Sequence, residues 1–250
     1  MFPVIQIGPL SLQTHGVIFL LGLWLALWVT ERFDSSRSHS FGIYYDLALV
    51  ALGAGILGAR LGYAAKNVTV FLKTPLALIT PTPQMLDLST GIIFASLAAL
   101  IYGGRRGLKL WPTLDQLTLS ASVFAVALHL ADLASGNAYG SPAAVPWCIP
   151  LWGDCRHPTQ LYALLLALGI TSTILRSTRE RWPTGLRFWT FLALTALARL
   201  IIEPFRGDST AWLFFRQPQI IAWILLAISL HQMGQHLHSI SKEQEHASSG

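Results

Sequence analysis

Seven mainly apolar stretches, separated by shorter polar segments, organise this chain. They fall near residues 15–30, 44–65, 88–104, 114–134, 159–175, 186–205 and 218–234. A helix crossing a bilayer needs about 20 mainly apolar residues, and several of these stretches reach or approach that length. Lipid offers no partner to an exposed backbone group, so each stretch is predicted to be an α-helix. The expected architecture is therefore all-α and polytopic, with seven transmembrane helices. Residues 1–240 are read as one transmembrane domain, and the polar end "SKEQEHASSG" (241–250) as a disordered tail.

Composition supports a membrane setting. Of the 250 residues 53% are hydrophobic and only 12% are charged, against about 25% charged in a soluble domain. Mean hydropathy is +0.52. The net charge of +5 raises nucleic acid as a partner, but the basic residues stand in short runs between apolar stretches. That is how a polytopic protein marks its cytoplasmic face, and nucleic-acid binding is set aside. The loops after stretches 1, 3 and 5, together with the tail, hold ten Lys and Arg residues. The opposite loops hold five. The N-terminus is accordingly expected outside and the C-terminus in the cytoplasm. The first stretch lacks the basic flank of a cleavable signal and reads as a retained span. Cys148 and Cys155 share one outer loop, where a disulfide and two free thiols are both open.

This topology gathers polar side chains at one depth. His15 opens span 1, Arg60 and Tyr63 lie late in span 2, and Thr90 opens span 3. His129 and Asp132 lie late in span 4. Arg156, His157, Gln160 and Tyr162 open span 5, and Arg199, Glu203 and Arg206 end span 6. All are expected near the outer interface. Ionisable residues inside spans are costly and face a bundle interior or a wet cavity. The His129/Asp132 and Arg199/Glu203 spacings put each pair on one helix face. Plainer roles stand beside this: Arg60 snorkelling to headgroups, Arg199 with Glu203 as a structural ion pair, His129 as a packed histidine, Arg156 and Arg206 as solvated charges. Guanidinium forks bind phosphate in a bidentate manner, so the layer suits an anionic phospholipid headgroup with its acyl chains among apolar helices. Channel, transporter and lipid enzyme all remain open at this point. No metal-binding cluster or nucleotide loop is present in the sequence.

Several motifs resemble those of the prolipoprotein diacylglyceryl transferases, in the same order. "FPVIQIGPLSLQTHGVIFLLG" is similar to their N-terminal segment, with His15 where tyrosine is usual. "GILGARLGY" resembles the second-span motif. "GNAYG" with "VPW" resembles the signature loop ending at Gly140. "RHPTQLY" and "ARLIIEPFR" are the most specific matches. Arg60, Gly140, Arg156, His157, Gln160, Tyr162, Arg199, Glu203 and Arg206 carry over. Other positions depart: Thr90 stands where the family has histidine, and Ala163 where Glu is common. His129 stands in place of the signature arginine, Asp132 of an asparagine, and Asn137 of a glutamate.

The resemblance implies transfer of diacylglycerol from phosphatidylglycerol to the lipobox cysteine thiol of prolipoprotein signal peptides, with release of glycerol phosphate. It places the protein in the bacterial inner membrane and calls for no cofactor. In that reading His129, His157 and Arg199 are the catalytic candidates. The substrate-binding candidates are His15, Arg60, Tyr63, Asp132, Asn137, Gly140, Arg156, Gln160, Tyr162, Glu203 and Arg206. The other reading is an inactive or repurposed phospholipid-binding protein of the same fold.

Overall fold

In a computed structural model of the chain, the structure describes residues 4–7, 10–33, 42–73, 85–180, 182–208, 211–212 and 215–248. Among the described residues eight α-helices run in the order α1 (Thr14–Arg32), α2 (Ile43–Lys66), α3 (Val68–Lys73), α4 (Leu88–Arg105), α5 (Leu110–Ser135), α6 (Thr159–Ser177), α7 (Leu186–Ile202) and α8 (Gln217–Ser248). A short 3-10 helix, Glu203–Phe205, extends α7. All but α3 are long and apolar enough to cross a membrane, and they coincide with the seven predicted stretches. The chain is an all-α, multi-pass membrane protein. The α8 helix continues past the expected span into the polar tail.

Among the described residues three antiparallel hairpins accompany these helices, one before α1, one between α5 and α6 and one between α7 and α8. They are β1 (Val4–Ile7) with β2 (Leu10–Gln13), β3 (Ile149–Leu151) with β4 (Asp154–Arg156), and β5 (Ala211–Trp212) with β6 (Phe215–Arg216). Apolar content alone did not foretell them. Trp152 and Gly153 both take positive φ, 56° and 86°, at the β3–β4 turn. That is the backbone twist a two-residue hairpin needs. Cys148 and Cys155 form a disulfide that closes this hairpin, with Cα atoms 5.4 Å apart.

Two compact units are present: residues 1–34 with 114–250, and residues 35–113. In the smaller, α2 and α4 pack along small residues. A Cβ on Gly62 would collide with Thr90, and one on Gly58 with Phe94. Small residues let two helix backbones approach where lipid gives no hydrophobic drive to associate. The segment before α4 is stitched to the end of α2. Asp87 N donates to Ala59 O at 2.9 Å, Lys66 pairs with the Asp87 carboxylate, and Asp87 Oδ1 accepts from Thr90 N at 2.9 Å as the N-cap of α4.

In the larger unit, Gly22 of α1 faces Ala127 of α5, and Phe19 meets Phe124 edge-on at 4.9 Å. Thr30 and Ser120 hydroxyls lie 2.5 Å apart. Thr171 of α6 donates to Ser122 O of α5 at 2.9 Å, and α7 packs on α8. Small and polar side chains make up much of the interior here, around the fully buried Leu119 and Ile174, whereas Leu20, Trp24, Leu165 and Trp223 are largely exposed. Large apolar side chains on the outside fit a lipid solvent.

Candidate functional site

At one end of the larger unit, α5, α6 and α7 enclose a cavity of about 260 Å³. Ala125, Leu128, Ala163, Ala167, Ile170, Phe191 and Ala198 make its walls mainly apolar, with the hydroxyl residues Ser122, Thr159 and Thr195 among them. His129, Arg199 and Arg206 make one end of it polar. Along α6 the lining runs from Thr159 to Ile170, about 16 Å at 1.5 Å per residue. That is close to half of a hydrocarbon core about 30 Å thick. The lining thus passes from a charged rim to a mainly apolar wall.

Two arginine–carboxylate pairs define the polar end. Arg199 Nε lies 2.9 Å from Glu203 Oε2, one helical turn on. Glu203 is wholly buried, and neither of its carboxylate oxygens accepts a hydrogen bond among the described residues. Arg206 is gripped in bidentate fashion by Asp208, Nε to Oδ1 at 2.8 Å and Nη2 to Oδ2 at 2.6 Å. Sequence reasoning missed Asp208. The signal was an opposite charge two residues from Arg206 across a glycine. It also missed Arg216, whose Nη1 donates to the carbonyls of Glu203 and Arg206, at 2.5 and 2.7 Å. Arg216 thereby ties the turn after α7 to the start of α8.

His129 projects from α5 into the same space, with Nδ1 3.9 Å from Asp132 Oδ2. At that separation there is no hydrogen bond, and the contact is an ion pair only when His129 is protonated. Arg199 and Arg206 are in electrostatic range of His129, and His15, Arg206 and Asp208 of Asp132. His15 Nδ1 is itself buried without a hydrogen bond among the described residues.

The other predicted residues build the cap over this end. Gln160, 2% exposed, donates through Nε2 to Asn137 O at 2.8 Å, and Thr159 Oγ1 donates to Ala138 O at 2.7 Å. The first turn of α6 therefore clamps the loop that begins at Asn137. Gly140 is bridged to Arg206, and a Cβ there would strike the His157 carbonyl. Arg156 is engaged by its own loop: Nε donates to Leu151 O at 3.1 Å, Nη1 to Gly140 O at 3.3 Å, and Nη2 pairs with Asp154 at 2.8 Å. It also lies over the Tyr139 ring. The His157 ring packs edge-on against Phe205 at 5.2 Å, with Nδ1 3.5 Å from Tyr162 Oη. That hydroxyl accepts from Trp147 Nε1 at 2.7 Å. Among the histidine candidates, His129 lines the cavity and His157 supports its rim.

Arg60 and Tyr63 belong to the smaller unit. Arg60 is buried, donates from Nη1 to Met85 O at 3.0 Å and lies over the Phe71 ring. Tyr63 meets Phe71 edge-on. Thr90, in the first turn of α4, donates its amide to the Asp87 carboxylate and its hydroxyl to the Asp87 carbonyl. Asp87 itself lies just outside the helix. The Lys66 ammonium, helped by the Thr90 amide, holds its carboxyl down at about 2.

A family model described as prolipoprotein diacylglyceryl transferase matches residues 3–233. Three relatives carry the name phosphatidylglycerol–prolipoprotein diacylglyceryl transferase. The protein of Symbiobacterium thermophilum is 28% identical over 90% of this chain and 89% of its own length. That of Geobacter sulfurreducens is 31% identical over 80% of each. That of Thermus thermophilus is 25% identical over 92% of this chain and 96% of its own.

Proposed function

The chain belongs to the prolipoprotein diacylglyceryl transferase family, and from that premise we propose that it transfers diacylglyceryl from phosphatidylglycerol to the lipobox cysteine thiol of prolipoprotein signal peptides. The observation that carries this reading is the cavity with apolar walls and an Arg199, Arg206 and His129 rim. The acyl chains lie along the α6 and α7 walls, and the headgroup phosphate meets the guanidinium groups. The reaction takes place in the outer leaflet of the bacterial plasma membrane, with the N-terminus outside and the C-terminus in the cytoplasm.

In the transfer step the acceptor sulfur forms a bond to the glyceryl carbon, and the bond from that carbon to the phosphate oxygen breaks. The electron pair leaves with glycerol phosphate, and the thiol proton passes to a base. A thiolate is the competent nucleophile. His129 takes the proton, because it is the histidine that faces the cavity and Asp132 stands beside it to stabilise the cation. Arg199 faces the charge that grows on the departing phosphate, and Glu203 fixes its direction. The reading of an inactive lipid-holding protein draws no support from the relatives, which carry the transferase name.

The test is expression in a strain depleted of its own enzyme, with labelled phosphatidylglycerol and a lipobox substrate. Transfer by the unmodified chain, lost in His129→Ala, is expected. Absence of transfer by the unmodified chain overturns the proposal.

A further inference from the structure

The two arginines at the rim are held differently. Glu203, partner of Arg199, is wholly buried at the end of α7, with Oε2 2.9 Å from Arg199 Nε. Asp208, partner of Arg206, has a side chain 24% accessible and follows the 3-10 helix by three residues. It takes both Nε and Nη2. The backbone of Arg206 is fixed independently of that carboxylate. Its carbonyl accepts from Arg216, its strand-like bridge is to Gly140, and Gly207 N donates to Tyr139 O at 2.9 Å. Removing Asp208 therefore leaves Arg206 anchored in the cavity lining. A carboxylate and a phosphate present the same paired oxygens to a guanidinium fork, so the Nε/Nη2 edge admits one of them at a time.

We propose that Asp208 is a displaceable counterion for Arg206, a positioning residue that yields the guanidinium edge to an arriving phosphate and takes it back when the phosphate leaves. The proposal rests on the phosphate-handling role given above to this rim. It adds a function for a residue that touches Arg206 and need not touch the lipid. While Asp208 holds the fork, both rim cations are matched by carboxylates. Phosphate entry is thus an exchange of one anion for another. An internal carboxylate weakens phosphate binding and speeds loss of the anionic product.

The experiment measures binding of glycerol phosphate, and separately of inorganic phosphate, to the full chain in nanodiscs, for the unmodified protein, Asp208→Asn and Asp208→Glu. Retention of phosphatidylglycerol is read by lipid mass spectrometry. Asp208→Asn is expected to tighten glycerol phosphate binding about tenfold, the scale of one lost competing ion pair. Asp208→Glu is expected to restore the unmodified value. The gain should vanish in Asp208→Asn with Arg206→Gln. Where transfer is observed, product inhibition should deepen in parallel. A folded Asp208→Asn protein that binds glycerol phosphate equally or less well overturns the proposal, and Asp208→Ser gives the same readout if the Asn variant does not fold. Tightening for inorganic phosphate as well as glycerol phosphate identifies the phosphate group alone as the competitor. Tightening for glycerol phosphate and phosphatidylglycerol only identifies the glyceryl headgroup as part of it. Binding that shifts as expected in a chain without transfer keeps this inference and removes the transferase reading. Transfer with no binding shift does the reverse.

Discussion

Two buried carboxylates in the larger unit, Asp115 and Glu203, do opposite things. Asp115 lies in the first turns of α5, and both its oxygens are taken by the start of α7: Oδ2 by Gly185 N at 2.6 Å and Oδ1 by Phe188 N at 2.9 Å. It answers N–H groups that a helix start leaves without intrahelical partners. Glu203, at the other end of α7, has a guanidinium contact and no backbone donor. A buried charge that answers helix-end donors locks two helices together. One that answers a cavity-lining cation holds that cation at the cavity wall. One helix is thus fastened at its first residues and chemically poised at its last.

The comparison is broken most sharply by removing the poised end. Arg199→Gln and His129→Ala are each expected to lower diacylglyceryl transfer per folded molecule by about a hundredfold or more, the range for losing a charge stabiliser or a general base. Initial-rate assays on protein normalised by folded fraction check this. Wild-type rates in both variants would mean the rim is structural like the Asp115 end. Asp115→Ala should do the converse. It is expected to destabilise the fold by about 1–3 kcal/mol, because two buried N–H groups lose their acceptor, while transfer per folded molecule stays within about twofold. Thermal unfolding in detergent, run beside the rate assay, measures both.

Gln160→Ala tests the boundary between the two kinds of residue. Its amide holds the Asn137 carbonyl, so the expected result is faster hydrogen exchange over residues 137–143 with a loss of about 1 kcal/mol. A change in headgroup affinity with unaltered exchange would return it to the ligand. The smallest effect belongs to Asp87 in the other unit. Its folded carboxyl titrates at about 2 rather than 3.8, held down first by Lys66. Its contribution is therefore complete above about 3.8 and disappears as the pH falls through about 2. Asp87→Asn should unfold slightly more easily than the unmodified chain at neutral pH. The gap should close in that acid window, as acid-unfolding curves of the pair will show.

Much of the fold was legible because bilayer thickness imposes a length on each apolar run, and all seven runs became helices. The site was legible in part. The i, i+3 and i, i+4 spacings placed His129 with Asp132 and Arg199 with Glu203, since helical geometry is local. The sequence makes Arg156 and Gln160 substrate-binding candidates. The structure engages both with the Asn137–Gly140 loop, and nothing local in "RHPTQLY" specifies a partner some twenty residues upstream. Asp208 was overlooked because a charged residue in a loop carries no periodic signal.

By itself, then, the sequence determined the helical class, the number of spans and which pairs share a helix face. These follow from hydrophobic length and the 3.6-residue turn, both properties of contiguous residues. Tertiary structure alone decided that Asp208 closes on Arg206, that Cys148 bonds Cys155, and that His129 rather than His157 faces the cavity. Each depends on how separate segments meet in space, and a hydrogen bond or disulfide requires ångström-scale placement that a one-dimensional pattern does not encode.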